Sequence, residues 1–206
     1  MDLLIATGNP AKVREFRQML GSDRFAWHDL GEFPGLNEVP ETGETFLDNA
    51  CLKASGYARQ TGMWALADDS GLEVDALGKK PGVYSARWAA MNKSGAGDAD
   101  NNRTLLGQLS AVADENRGGR FVCVLALANP AGEIILTARD TVEGRILREA
   151  RGSDGFGYDP LFYIDALGKT TAELSPDQKH QISHRGKALR QMQKLMESLA
   201  LDEKGK

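Results

Sequence analysis

An uninterrupted apolar run from Phe121 to Ala128 limits most strongly what this chain can fold into. Such a run is typical of a strand buried on both faces, and it is far shorter than a membrane-spanning helix. After a turn at Asn129-Pro130, the pattern from Ile134 to Val142 suits a hairpin partner. The two segments predict the long centre of a β-sheet and give no sign of membrane insertion.

Strand and helix signals alternate along the rest of the chain. A short apolar strand from Leu3 to Ala6 is followed by a helix in which Val13, Phe16 and Leu20 recur at helical spacing. This alternation favours an α/β fold, and the hairpin makes the expected sheet mixed rather than purely parallel. A chain of 206 residues can bury one good core, so we expect a single domain over residues 1–206.

Two further helices are predicted from their ends and their apolar faces. The first begins at a capping box formed by Thr45 and Asp48 and ends at Gly62. Its apolar face consists of Phe46, Ala50, Ala54 and Tyr57, and that of the last helix consists of Leu189, Met192, Met196 and Leu199. The polar, glycine-rich stretch from Asn92 to Asn102 predicts a loop.

Charge and cysteine content narrow the classes of partner. The chain has 25 Lys and Arg residues against 29 Asp and Glu residues, so it has no overall basic field to hold a nucleic acid. A small anionic ligand fits better, because a metal ion and a few cations can reverse the potential locally. Cys51 and Cys123 form no disulfide framework, and no signal-peptide pattern is present, which favours the cytoplasm.

The segment Thr7-Gly8-Asn9-Pro10 joins the first strand to the first helix, and Lys12 follows it. A helix N-terminus offers unpaired N–H groups and a favourable dipole to a phosphate, and a glycine permits its close approach. The alternative is an ordinary turn with a surface lysine.

Lys53 falls on the apolar stripe of its helix, together with Asn49. A buried ammonium without a partner is costly, so the position indicates either an anionic partner or a stem whose head reaches water.

Asp68 and Asp69 lie between two predicted short strands, Trp64 to Ala67 and Leu72 to Val74. Adjacent carboxylates repel each other unless a cation neutralises them, and hard oxygen ligands suit Mg²⁺. Glu41 could join them from a neighbouring loop. The alternative is a solvated structural turn.

Residues 152–160 combine three glycines, two acids and the aromatic residues Phe156 and Tyr158. Either ring could stack on a flat base, or both could fill the core beneath a tight turn. His184 opens the last helix, where the dipole favours a neutral ring, and the alternative there is a solvated basic helix start.

In their order along the chain, these segments resemble the inosine/xanthosine triphosphate pyrophosphatase family, whose members hydrolyse noncanonical purine nucleoside triphosphates. The resemblance spans nearly the whole chain and is poor only from Asn92 to Arg117, which we expect to affect surface shape rather than chemistry. The matching segments are Ala6–Asn9 with Lys12, Glu41–Gly43 with Phe46 and Asn49–Ala50, Lys53–Ala54, Ala67–Leu72, Pro81–Arg87, Gly155–Pro160 and Ser183–Gly186.

The resemblance implies a homodimeric, Mg²⁺-dependent enzyme with a mixed, elongated central sheet, flanking helices and two lobes around a central cleft. Its expected reaction converts inosine, deoxyinosine or xanthosine triphosphate to the monophosphate plus pyrophosphate. The implied metal ligands are Glu41, Asp68 and Asp69, and the implied catalytic residues are Asp69, as general base, and Lys53. The implied substrate-binding residues are Thr7, Gly8, Asn9 and Lys12 for the triphosphate, Phe156, Gly157, Tyr158 and Asp159 for the base and sugar, Lys179, His184 and Arg185 for the purine edge, and Ser70 for a further contact with the substrate.

Two other classes of function stay open. Asp69-Ser70-Gly71 with Lys53 could form a nucleophilic-serine hydrolase. A nucleotide-sensing module without turnover is the other alternative.

Overall fold

The computed structural model describes residues 2–20 and 25–202, with side chains described through residue 198. Within this part the strands are β1 (Asp2–Ile5), β2 (Ala26–Asp29), β3 (Trp64–Val74), β4 (Gly118–Ala128), β5 (Ile134–Ile146), β6 (Phe162–Ile164) and β7 (Lys169–Thr170). The α-helices are α1 (Pro10–Leu20), α2 (Phe46–Thr61), α3 (Trp88–Met91), α4 (Asp98–Gln108), α5 (Pro176–Ile182) and α6 (His184–Asp202). None of the described helices is long and apolar enough to cross a membrane.

The strands form one sheet in the order β2-β1-β3-β4-β5-β6-β7. Strand β1 runs parallel to β2 and β3, whereas β6 runs antiparallel to both β5 and β7. The predicted mixed sheet is therefore confirmed. Strands β4 and β5 are neighbours near its centre, and both are longer than the apolar patterns that predicted them.

Strand β3 is continuous, so the prediction of two short strands separated at Asp68 and Asp69 is wrong. All eleven residues from Trp64 to Val74 are extended, and the two carboxylates lie in the middle of the strand. The sequence Asp-Asp-Ser-Gly has the composition of a turn, but β3 lies between β1 and β4. Pairing with neighbouring strands overrides a local preference of this size.

The prediction of a loop from Asn92 to Asn102 is also wrong in its second half, because α4 begins at Asp98. Gly97 precedes the helix with a φ of 84°, a conformation that glycine adopts readily. Asp98 and Asp100 place negative charge in the first turn, where it stabilises the helix dipole. Leu105 is fully buried and anchors the helix in the core.

Helix α2 has the ends that its sequence predicts. Thr45 and Asp48 form the capping box, and Gly62 ends the helix in the left-handed conformation with a φ of 68°. The predicted apolar face is buried, and the side chains of Asn49 and Lys53 are buried with it. The helix therefore carries two polar groups on its inward face.

The chain divides into two compact units, each built from separate stretches of sequence. Unit 1 comprises Met1–Asp69, Cys123–Asp140 and Arg185–Lys206. Its core is formed by residues of β1, β3, β4, α1 and α6, among them Leu3, Ile5, Phe16, Leu66, Leu125, Leu189, Met192 and Met196. Leu199, the last residue of the predicted face of α6, lies outside the described side chains.

Unit 2 comprises Ser70–Val122 and Thr141–His184. Its core is formed by Leu72, Val74, Leu105, Leu109, Phe121, Val142, Ile146, Tyr158, Leu161, Phe162 and Ile164. Helix α4 and the glycine-rich segment 152–160 both belong to this unit.

Candidate active site

Strand β3 carries Asp68 and Asp69 just beyond the point where its neighbour β1 ends. The last register pair of the two parallel strands is Ile5 with Leu66, and the Ala6 N–H then donates to the Leu66 carbonyl at 2.8 Å. From there the chain turns away into α1. Successive side chains of a strand point to opposite faces, so the two carboxylates meet different surroundings.

Asp68 is fully buried in unit 1 between two cations. Its Oδ2 lies 3.0 Å from the Lys12 ammonium and 3.5 Å from Nε of Arg185, and Arg185 also pairs with Glu15. Burial opposes the ionisation of Asp68, but the charges of Lys12 and Arg185 outweigh it and hold the pKa of this carboxyl well below its usual range. Asp68 is therefore a permanent anion.

Asp69 meets the two polar side chains on the inward face of α2, which also belongs to unit 1. Its Oδ2 accepts a hydrogen bond of 3.1 Å from the Asn49 amide, and its Oδ1 lies 3.5 Å from the Lys53 ammonium. The same ammonium donates to Glu41 at 2.7 Å. The anionic partner that the position of Lys53 calls for is thus present, and the cation is shared by two carboxylates.

Asp69 and Lys53 both have shifted pKa values. Burial raises the pKa of Asp69 above its usual value, although the nearby charges of Lys53 and Lys12 oppose the shift. Burial also disfavours the charged form of Lys53, but the surrounding carboxylates outweigh it and raise the pKa of the ammonium. Asp69 is consequently a better proton acceptor than an ordinary aspartate, and it lies beside a permanent cation.

Asn49 connects Asp69 to the loop that carries Glu41. While its amide N–H₂ donates to Asp69, its Oδ1 accepts the Gly43 N–H at 2.8 Å. A side chain at Gly43 would collide with Asp48 and Asn49, so only glycine permits this approach. The sequence placed Asn49 on the buried face of α2 but did not indicate this contact.

The turn before α1 differs in one respect from the phosphate-binding hypothesis. The Asn9 side chain accepts the N–H groups of Ala11 at 2.9 Å and Lys12 at 3.3 Å. The expectation that the first turn of this helix exposes unpaired N–H groups is therefore wrong for these two residues. A Cβ added at Gly8 meets no described atom within 4 Å, so the approach to the turn is open there, and Thr7 is buried beside it.

In unit 2, the carboxylate of Asp159 organises the glycine-rich segment. Its Oδ2 accepts from the Phe156 N–H at 2.8 Å and from the Lys179 ammonium at 2.6 Å, and its Oδ1 accepts from the Thr171 hydroxyl at 2.8 Å. The Lys179 ammonium also lies 4.9 Å from the centroid of the Phe156 ring. Asp159 and Lys179 thus form a buried ion pair next to a half-buried aromatic ring.

The two aromatic residues of the segment have different surroundings. Tyr158 is buried in the core of unit 2, where its hydroxyl donates to the Ser85 carbonyl at 2.9 Å. Phe156 is only half-buried. Of the two rings, therefore, Tyr158 has the core position that the structural alternative expects, and Phe156 keeps exposed surface for a ligand.

The remaining predicted residues are distributed between the units. His184 begins α6, is buried, and stacks on Phe121 in unit 2 with the ring centroids 4.9 Å apart. Ser70 follows Asp69 in β3 and belongs to unit 2. Arg185 belongs to unit 1, where Asp68 and Glu15 share its guanidinium.

Residues 3–195 match the model of the Ham1 family. This chain belongs to the Ham1 family. The dITP/XTP pyrophosphatase of Desulforamulus reducens is 50% identical over 199 residues, which cover 97% of both chains. That of Bacillus subtilis is 44% identical over 197 residues, covering 96% of this chain and 98% of its own.

Solved structures of Ham1 proteins have the same fold. A HAM1 protein from Coxiella burnetii, 41% identical in sequence, matches with a TM-score of 0.87 and covers 96% of this chain and 99% of its own. The Ham1 protein of Staphylococcus aureus, 39% identical, matches with a TM-score of 0.84 over 96% of this chain and 99% of its own. The resemblance noted from the motifs is therefore confirmed at the level of family and fold.

Proposed function

We propose that this Ham1 family chain hydrolyses dITP, ITP and XTP to the corresponding monophosphate and pyrophosphate. The observation that carries the proposal is the buried Asp69 carboxylate, held by Asn49 and Lys53 and raised in pKa. Relatives named dITP/XTP pyrophosphatase support it, since they align over 92% or more of their own length. We also propose that residues 1–206 form one catalytic domain, which the family match over residues 3–195 supports.

The proposed cofactor is Mg²⁺, and the carboxylates of Glu41 and Asp69 are ligands that suit it. Glu41 and Asp69 both contact the Lys53 ammonium, so two carboxylates are directed at one place that accepts positive charge. Among the described residues, no group of three or more His, Cys, Asp or Glu side chains is arranged to hold a metal. Mg²⁺ often uses only one or two carboxylates and completes its shell with water and substrate phosphates.

Glu41 and Asp69 would hold the ion, and the part of Asp68 as a third ligand stays a prediction. When bound, Mg²⁺ supplies neutralisation of phosphate charge and activation of water.

Asp69 is the proposed general base. It would accept a proton from the water that attacks the α-phosphorus while pyrophosphate leaves. Asn49 and Lys53 each hold one oxygen of the carboxylate, so its direction is fixed before substrate arrives. A general base of this kind contributes roughly 10²–10⁴-fold to the rate.

The proposed phosphate-binding groups are Lys12, Lys53 and the turn Thr7-Gly8-Asn9. Phosphoryl transfer depends mainly on positioning and charge neutralisation, and the two ammonium groups would supply the charge. The open approach at Gly8 supports close contact with a phosphate oxygen. Arg185 would act through Asp68, by keeping that carboxylate ionised next to Lys12, and Glu15 would hold Arg185 through their ion pair.

The proposed nucleoside-binding groups belong to unit 2. Phe156 would stack on the base, Gly157, Tyr158 and Asp159 would shape the surrounding segment, and Ser70 would contact the substrate. Lys179 and His184 would recognise the purine edge. Arg185 would join them, as the family resemblance predicts. Donors directed at the 6-oxygen of hypoxanthine or xanthine would be left unpaired by the amino group of adenine, so adenosine triphosphate should be a poor substrate.

A nucleotide panel tests this function. We expect the purified chain to release pyrophosphate from ITP, dITP and XTP far faster than from ATP, and EDTA to abolish the release. Absence of pyrophosphate release from every nucleotide in Mg²⁺ or Mn²⁺ buffer would refute the proposal and favour a sensing module. Labelling of Ser70 by serine-directed probes, together with full activity in EDTA, would favour the covalent hydrolase instead.

The homodimer, the cytoplasmic location and the lack of a nucleic-acid partner stay predictions. Sedimentation of the purified chain measures the first, and titration with labelled RNA and DNA measures the last.

A further inference from the structure

Helix α4 holds both backbone polar groups of Gly157. The Asp98 carboxylate accepts the Gly157 N–H at 2.7 Å, and the Asn102 amide donates to the Gly157 carbonyl at 2.9 Å. Asp98 and Asn102 are four residues apart, so they lie on the same face of the helix. One face of α4 therefore binds both the N–H and the carbonyl group of a single residue in the glycine-rich segment.

These two hydrogen bonds restrain a residue whose backbone could otherwise change conformation easily. Its φ is 63°, and glycine at a positive φ moves between conformations more freely than any other residue. It directly follows Phe156, the half-buried ring, and precedes Tyr158, whose hydroxyl is fixed to Ser85 in the core. A rotation at Gly157 would therefore redirect Phe156 while leaving the core in place.

The other side of Phe156 is already fixed. Its N–H donates to Asp159, and the Lys179 ammonium lies against its ring. The contacts from Asp98 and Asn102 complete the restraint on the backbone around this residue. Together these groups hold one orientation of the ring.

The fold of α4 does not depend on these two contacts. Asn101 anchors the helix separately, since its side chain accepts the Ala89 N–H at 2.8 Å and donates to the Ala86 carbonyl at 3.1 Å. Leu105 and Leu109 are fully buried in the core of the unit. Asp98, by contrast, is exposed apart from its bond to Gly157.

We propose that Asp98 and Asn102 are positioning residues for base recognition, which set the direction of the Phe156 ring through the Gly157 backbone. The inference rests on the proposed function, because it gives that ring a base to stack on. It assigns a role in binding to the region between Asn92 and Arg117, for which the sequence predicted an effect on surface shape alone.

The test compares kinetic constants for ITP in Asp98→Ala and Asn102→Ala. Loss of one hydrogen bond should raise KM by roughly three- to tenfold, while kcat stays within about twofold of the parent value. Asp98→Asn keeps an oxygen acceptor for the Gly157 N–H, so its KM should return towards the parent value. Arg103→Ala is the matched control, because this exposed residue of the same helix pairs with Asp100 and its removal should leave KM unchanged.

A second ligand separates positioning of the base site from general damage. Inorganic tripolyphosphate has no base, so its inhibition constant against ITP should be the same in all four variants and the parent. Melting temperatures of the variants provide the check on folding.

The unfavourable results distinguish failure of the positioning role from failure of the proposed function. An unchanged KM in both alanine variants, an equal loss for tripolyphosphate, or no recovery in Asp98→Asn would overturn the positioning role while leaving the proposed function intact. If the parent chain releases no pyrophosphate from ITP in the same assay, the proposed function and this inference both fail.

Discussion

Asp68 and Asp69 are adjacent in one strand, yet their two faces give them opposite properties. Asp68 is fully buried between Lys12 and Arg185, and its pKa is held well below the usual range. Asp69 is 5% exposed, and burial raises its pKa. Burial alone therefore does not decide the protonation of a carboxylate, because the charges on each face determine whether burial is offset.

This contrast assigns separate tasks to the two acids. Titratable groups that are pushed apart in pKa by their surroundings commonly have separate roles in catalysis. Asp68 is suited to hold cations in place at every physiological pH. Asp69 is suited to accept a proton.

The largest expected effect is on turnover in Asp69→Asn. The amide cannot accept the proton from water, so kcat should fall by roughly 10²–10⁴-fold, while nucleotide binding stays measurable because the phosphate-binding groups remain. Stopped assays of pyrophosphate release and equilibrium binding of ITP measure the two quantities. Normal turnover in this variant would remove Asp69 from the mechanism and erase the contrast with Asp68.

The expected effect of Asp68→Asn is on stability. Removing one partner from a buried ion pair typically lowers the free energy of unfolding by about 3–5 kcal/mol, since Lys12 and Arg185 lose their counter-charge. Urea denaturation of the metal-free protein at pH 7 measures it. Asp69→Asn is the control, and its free energy of unfolding should fall by less, because burial already disfavours the charge of Asp69.

The same experiment has a pH dependence. The folded-state pKa of Asp68 lies below its ordinary value of 3.8. The ionised carboxylate therefore makes its full contribution to the free energy of unfolding above pH 3.8, and this contribution is lost as the pH falls. The stability difference between the parent and Asp68→Asn should therefore narrow below pH 3.8. A difference that is constant from pH 7 to pH 3 would contradict the assignment.

Lys53→Ala tests the cation that Asp69 shares with Glu41. Loss of a hydrogen-bonding charge should lower kcat/KM by roughly 10–100-fold, through a higher KM and a lower kcat together. Steady-state kinetics with ITP measure both constants. Kinetics equal to those of the parent would show that the ammonium serves the fold rather than the reaction.

The smallest effect is expected for Asn49→Ala, which removes the amide that orients Asp69. We expect kcat to fall by roughly three- to tenfold, the size of one ordinary hydrogen bond. The Asn49 bond favours the charged form of Asp69, so its loss should also raise the pKa of that carboxyl. The acid limb of the kcat/KM profile should then move to higher pH, and an unmoved limb would count against the contact.

The parts of the fold that the sequence predicted are those decided locally. The capping box of Thr45 and Asp48, the end of α2 at Gly62 and the buried face between them depend on residues within one helix. The angular position of Lys53 indicated either an anionic partner or a stem whose head reaches water, and the structure has the anionic partner. Such features follow from helical periodicity alone.

The parts that it missed depend on contacts between distant stretches of chain. Whether Asp68 and Asp69 interrupt a strand is decided by the strands beside β3 and not by their own turn-like composition. The pairing of Arg185 with Asp68 joins residues more than a hundred positions apart, and Glu15 adds a third stretch. No local pattern carries that information.

The continuity of β3 also limits how this chain can change in evolution. A strand alternates its side chains strictly, so insertion or deletion of one residue upstream within it would exchange the faces of Asp68 and Asp69. A one-residue insertion would bring Asp68 to the position that faces Asn49 and Lys53, and a one-residue deletion would bring Asp69 to the position that faces Lys12 and Arg185. Length variation between Trp64 and Asp69 should therefore be excluded, because even a two-residue change, which keeps the faces, would move both carboxylates along the strand away from their partners.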